Sequence, residues 1–170
     1  MNVLNHDIPH QKYFEELSRI PRASYKEEAC ADYLVEFAKA HGLEYKRDEL
    51  HNVIIYKPAS AGYEDHGAVI LQAHTDMVCE KNADCDHDFD TQPLDLYVED
   101  GILRARGTTL GADDGMGCAY MLAMLEMDLP SPALECVFTV QEEVGLIGAF
   151  ALKAEDFKAK RYINLDFGGG

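Results

Sequence analysis

The chain has 170 residues, 47% of them hydrophobic and 27% charged, which is ordinary for one globular domain with a sizeable core. Its formal net charge of −16 at pH 7, with no cluster of Lys and Arg, argues against nucleic-acid and anionic-membrane partners and favours cations as ligands. Residues 1–7 carry no secretory signal pattern, no apolar run approaches a bilayer span, and five cysteines at irregular spacings fit reduced thiols, so a cytoplasmic protein is expected.

Tyr13, Phe14, Leu17 and Ile20 keep an apolar stripe at helical spacing until Pro21 breaks it, which predicts a first helix. Ser24-Tyr25-Lys26-Glu27 has the pattern of a capping box. Behind it, Ala31, Leu34, Val35, Phe37 and Ala38 supply a buried stripe, and Gly42 suits the position just past the end of a second helix. Extended segments follow at 43–47, 53–56 and 68–73, the last apolar enough to be covered on both faces. Segments 95–99 and 102–105, joined through Asp100-Gly101, read as a hairpin.

From Gly115 onward, Met116, Ala119, Tyr120, Ala123, Met124 and Met127 mark an amphipathic helix that Pro130 and Pro132 close. A strand at 133–140, a short helix at 146–152 and a strand at 161–166 complete an alternation that predicts a layered α/β fold. There is no internal repeat, and Gly168-Gly169-Gly170 is the one low-complexity stretch.

Four motifs could carry chemistry, and each alone has a plain structural reading. His74-Thr75-Asp76 directly follows an apolar strand, where a ligand imidazole and an orienting carboxylate can lie on one side of extended chain, although a surface His beside an Asp is commoner. Asp113-Asp114 sits between Gly111 and Gly115 at a helix start; one Asp is explained by capping, but the flanking glycines let backbone approach something closely. Glu142-Glu143 follows a strong strand, either as a solvated acidic loop or as one metal ligand beside one general base. Asn164-Leu165-Asp166 ends another strand, the place where open α/β sheets put their ligands.

Together the four motifs converge on one sheet edge. An oxygen-rich set with a single His suits zinc, manganese or cobalt and does not suit a thiolate-rich structural zinc site. Rival sites are weaker: Asp84, Asp86, Asp88 and Asp90 alternate like an EF-hand start, but Phe89 stands where Gly is needed and no Glu closes the loop. Cys79, Cys85 and His87 fit no standard zinc spacing, and Cys118 and Cys136 read as buried inert thiols.

In their order, His74-Thr75-Asp76-Met77-Val78, Gly111-Ala112-Asp113-Asp114-Gly115, Gln141-Glu142-Glu143 and Asn164-Leu165-Asp166 resemble the co-catalytic metallopeptidases of the aminoacylase, carboxypeptidase G and tripeptidase superfamily. Within it they are similar to bacterial dipeptidases that cleave Xaa-His, over residues 17–166. The resemblance implies a mixed, mostly parallel sheet between helices in a three-layer sandwich. It also implies two divalent cations, zinc with cobalt or manganese allowed, and a short peptide substrate; a homodimer is compatible with it. His74 and Asp166 would bind the first cation, Asp113 would bridge both and Glu143 would bind the second. Asp76 would orient His74, Glu142 would be the general base, and the Asp113–Asp114 peptide bond would be cis.

This superfamily draws a further His for its second cation from a C-terminal segment, and the sequence has no His after His87. Nor does it leave room for the superfamily's smaller lid domain. Residues 1–170 are therefore expected to be the N-terminal part of a catalytic domain, with one cation site that binds well and a second that is incomplete. Its alternative roles are a non-catalytic metal-binding or assembly module, or an aminoacylase or carboxypeptidase of the same superfamily.

Overall fold

A computed structural model of the chain describes residues 2–166, so the terminal glycine run lies outside the described residues. The elements are α1 (Pro9–Ser18), α2 (Glu28–Ala40), β1 (Glu44–Arg47), β2 (Val53–Lys57), β3 (Val69–His74), β4 (Leu96–Glu99), β5 (Ile102–Ala105), α3 (Ala112–Glu126), β6 (Leu134–Thr139), α4 (Ile147–Ala151) and β7 (Arg161–Asn164). Short 3-10 turns occupy Glu64–His66 and Ala154–Asp156. Each helix and strand expected from periodicity is present.

The fold is α/β around a mixed five-stranded sheet of order β1-β2-β6-β3-β7. Its four pairings divide evenly: β1–β2 and β2–β6 are antiparallel, β3–β6 and β3–β7 parallel. All six residues of β6 are buried, Glu135 and Thr139 among them, as befits the central strand of a sheet covered on both faces. The β4–β5 hairpin forms a separate two-stranded sheet, with Asp100 and Gly101 both at positive φ as a tight hairpin turn demands.

Register decides which side chains share a face. Phe138 lies beside Val53 and Ala73, and Cys136 beside Ile55 and Leu71, so these residues form one apolar face. Against it pack Tyr13, Phe14 and Leu17 of α1, Leu34 and Phe37 of α2, and Met121 and Leu122 of α3, forming one contiguous core. The opposite face mixes buried Ile54 and Val137 with polar groups. Gln72 donates to Thr139 Oγ1 at 3.0 Å and accepts from the Tyr162 hydroxyl at 2.7 Å, while Glu135 accepts the backbone N–H groups of Lys158 and Ala159. The sandwich is therefore lopsided among the described residues, with three long helices on one face and irregular chain bonded to the other.

Two local expectations change. At the start of α2 the capping box does not form, because neither Ser24 nor Glu27 bonds the helix backbone as a side-chain cap; both turn instead toward distant loops. In α3 the apolar stripe shifts: Tyr120 and Met127 are exposed, while Met121, Leu122 and Leu125 are buried. Packed between α1 and β3, this helix is covered on two sides, and two-sided burial blurs the single stripe that a half-exposed helix would show.

Candidate metal centre

Because β3, β6 and β7 run parallel, their C-terminal ends share one edge of the sheet. There β3 delivers His74, the turn after β6 delivers Glu142 and Glu143, and the end of β7 leads to Asp166. Asp113 and Asp114 arrive at the same edge from the start of α3, where their φ/ψ values are non-helical and the bond between them is cis.

At the centre of the cluster stands His74, which is 1% exposed. Its Nε2 is 3.1 Å from Asp113 Oδ1, 3.8 Å from Glu142 Oε2 and 4.0 Å from Asp166 Oδ2. On the other side, Nδ1 lies 3.0 Å from the Asp76 carbonyl oxygen and 3.4 Å from its carboxylate Oδ1. Nδ1–H facing oxygen leaves Nε2 free to act as a ligand, the arrangement that fixes a metal-binding tautomer.

Asp76 is fully buried and joins several loops. Its Oδ1 accepts the Glu142 N–H at 3.0 Å, and its Oδ2 accepts the Ser24 hydroxyl at 2.7 Å and the Glu143 N–H at 3.2 Å. The turn that presents Glu142 and Glu143 is thus bonded to the same carboxylate that faces His74. Asp114 points inward: Oδ1 accepts the Gly117 N–H at 3.1 Å, Oδ2 is buried without a partner, and burial pushes its carboxyl up to about 6.

Two ligand groups can be drawn from these atoms, each within 4.8 Å: His74, Glu142 and Asp166, and His74, Asp113 and Glu143. The donor set fits a divalent cation. Among the described residues no Lys or Arg pairs with Asp113, Glu142, Glu143 or Asp166, so the acidic knot has only His74 to offset it. Burial, together with the other carboxylates, raises the pKa values of Glu142 and Glu143 despite the opposing pull of His74. Hard oxygen donors around one imidazole match zinc, manganese or cobalt. No group of three or more potential ligands forms among the described residues from Cys79, Cys85 and His87 or from Asp84, Asp86, Asp88 and Asp90. Asp88 closes its own turn by accepting from Asp90 and Thr91, and Cys118 and Cys136 are buried.

In the metal-free chain, burial would lower the pKa of His74, but hydrogen bonds and charge from Asp76, then Asp113, push it up to about 9. A raised His pKa stabilises the fold fully below its unfolded value near 6.5 and loses that contribution as pH rises through the folded value. Urea unfolding in EDTA should therefore show stability falling between about pH 6.5 and 9, by at most about 3 kcal/mol. A flat profile across that window would mean that the His74–Asp76 pair does not stabilise the fold.

Three residues of this site carry no metal-ligand signature in the sequence. Arg22, Ser24 and Glu27 lie in the linker from α1 to α2, and all three reach the cluster. Ser24 and Glu27 have local capping geometry as a competing explanation, and a single Arg after Pro21 has no diagnostic spacing.

Residues 70–169 match the peptidase family M20/M25/M40. The chain is 44% identical over 154 residues to the cytosol non-specific dipeptidase of Escherichia coli (strain K12), covering 90% of this chain and 32% of that protein. It superposes on aminoacylhistidine dipeptidase from Vibrio alginolyticus with a TM-score of 0.91 and 42% identity, covering 94% of this chain and 33% of that one. A tripeptidase from Staphylococcus aureus gives a TM-score of 0.79 and 27% identity, covering 98% of this chain and 45% of that one. The chain spans about a third of the length of the first two relatives.

Proposed function

Because the chain belongs to peptidase family M20/M25/M40, whose members are metal-dependent, we propose that it carries the metal centre of a dipeptidase and corresponds to the N-terminal part of the catalytic domain. The observation that carries this reading is the convergence of His74, Asp113, Glu142, Glu143 and Asp166 on one sheet edge with no Lys or Arg paired to those acids among the described residues. In this reading His74 and Asp166 would hold one cation and Glu143 a second, with Asp113 available to both. Bound zinc ions would supply Lewis acidity toward a peptide carbonyl and make a water acidic enough to yield a nucleophile near neutral pH.

The remaining chemistry belongs to side chains of this chain. Asp76 fixes the His74 tautomer and, through two backbone N–H groups, aims the Glu142-Glu143 turn. Glu142 is partly buried, and its raised pKa makes its carboxylate a better acceptor for a proton from water. Asp113 is mostly exposed, so the cluster opens to solvent on the side where a short peptide would approach.

Dipeptides of the Xaa-His type, such as β-Ala-His, are the substrates this reading favours, supported by the likeness to the Vibrio alginolyticus enzyme; the name of the Escherichia coli relative argues for a wider range. A cytoplasmic location is supported by that relative's name and by five free cysteines. No helix among the described residues is long and apolar enough to cross a membrane.

The test is hydrolysis of β-Ala-His, beside dipeptides lacking His, by the chain in EDTA and after loading with zinc or cobalt. Cation binding is expected, with any turnover confined to the loaded chain. Bound cation without turnover on any dipeptide would favour a metal-binding module instead, and turnover in EDTA would overturn the metal assignment.

A further inference from the structure

Three loops carry the candidate ligands of β3, α3 and the turn after β6, and one short segment touches all three. We propose that the linker 19–27, through Arg22, Ser24 and Glu27, is the positioning strap of the metal centre, a role that rests on the metal reading of the cluster.

Arg22 is buried and makes no ion pair among the described residues. Its two terminal nitrogens donate to main-chain carbonyls, Nη1 to Thr75 at 2.8 Å and to Asp76 at 3.4 Å, and Nη2 to Gly111 at 2.6 Å, while Nε is buried without a partner. One planar group therefore sets the distance between the loop that presents His74 and the loop that presents Asp113. A buried charge used in this way is costly unless the geometry is good, and a fork of fixed donors provides that geometry.

The glycines of the acidic motif are explained by the same contact. A Cβ at Gly111, where φ is +65°, would lie 2.5 Å from Arg22 Nη2, and one at Gly115 would lie 2.7 Å from the same atom. The backbone on either side of Asp113-Asp114 therefore packs against the guanidinium of Arg22, joined at Gly111 by the Met77 sulfur, 2.7 Å from where a Cβ would stand.

Ser24 and Glu27 hold the third loop. Ser24 donates to the Asp76 carboxylate that accepts the Glu142 and Glu143 N–H groups, and buried Glu27 accepts the Gln141 N–H at 2.9 Å. Just before Ser24, Ala23 makes an isolated parallel bridge with Met77, just past the His74 loop. Asp166 stands outside the strap: its neighbour Leu165 is bonded to Gln72 of β3.

Partners that orient metal ligands contribute about 10–100-fold to metal affinity. Ser24→Ala and Glu27→Ala should each weaken zinc binding about tenfold or more in calorimetry, whereas Glu27→Gln, which keeps an acceptor for Gln141 N–H, should restore affinity. Loss of one such buried hydrogen bond should lower the thermal midpoint in EDTA by about 2–12 °C, so zinc affinity measured well below that midpoint separates the strap from mere destabilisation. Hydrogen exchange in EDTA reads the strap without metal: Ser24→Ala should speed exchange at Glu142 and Glu143, and Glu27→Ala at Gln141. Arg22→Gln is the most severe variant, and if it does not fold, the Ser24 and Glu27 variants decide.

Wild-type zinc affinity in both alanine variants overturns the strap. If the wild-type chain itself binds no zinc, the metal reading fails, and the exchange rates then settle the strap: faster exchange upholds its hold on the loops, and unchanged exchange overturns it.

Discussion

Glu142→Gln should reduce zinc-dependent dipeptide hydrolysis by about 10²–10⁴-fold, the usual contribution of a positioned general base, while zinc affinity stays at the wild-type level. The substitution keeps shape and an acceptor oxygen but removes the ability to take a proton. Two placements of Glu142 compete in the geometry. Its carboxylate can join His74 and Asp166 as a ligand, or it can stand beside the cation held by the other residues and accept a proton from water. The backbone favours the second. Glu142 and Glu143 are adjacent, both N–H groups are fixed by Asp76, and neighbouring side chains on such a turn leave in different directions, which supports the proposed division into one ligand and one base. Steady-state rates on β-Ala-His together with zinc calorimetry separate the two placements. A drop in affinity for Glu142→Gln comparable to that for Asp166→Asn would make Glu142 a ligand and sink its role as base.

His74→Ala should abolish tight zinc binding, because His74 is the one imidazole in either ligand group and only carboxylates remain without it. The same change acts on the metal-free fold. With a pKa raised to about 9, His74 is charged near pH 6.5 and faces the fully buried Asp76, whose own pKa is held down by His74, the Glu142 N–H and Ser24 despite burial. Removing one partner of a buried pair costs about 3–5 kcal/mol, because the other charge is left uncompensated. Asp76 keeps three other donors, so a loss near the lower end, about 3 kcal/mol, is expected in urea unfolding in EDTA at pH 6.5. The penalty should shrink toward pH 9, where wild-type His74 loses its proton. An undiminished penalty at pH 9 would assign the loss to packing and not to charge.

The strap and the ligand set fail differently. Loss of His74 removes the donor; loss of Ser24 or Glu27 leaves every donor in place but lets its loop move. Tight zinc binding should therefore vanish in the first case and weaken in the second. Adding excess zinc should recover turnover in the strap variants and not in His74→Ala.

The sequence by itself determined the elements and the chemical inventory of the site. Helical spacing at Tyr13, Phe14 and Leu17, the apolar run before His74 and the Asp100-Gly101 turn are local signals, and local sterics and burial act on them directly. His74, Asp113, Glu142, Glu143 and Asp166 could be named because each ends a strand or starts a helix, and parallel strands bring those ends to one edge. Tertiary structure alone decided who holds whom. The pairing of β2 with β6, which makes half the sheet antiparallel, joins segments about eighty residues apart. Ser24 bonds Asp76 across 52 positions and Glu27 bonds Gln141 across 114, where local pattern offered both a capping box. A hydroxyl or carboxylate at a helix start has several acceptable partners of similar strength, and only the packed fold, by burying Asp76 and the Gln141 N–H, makes one of them far costlier to leave unmet.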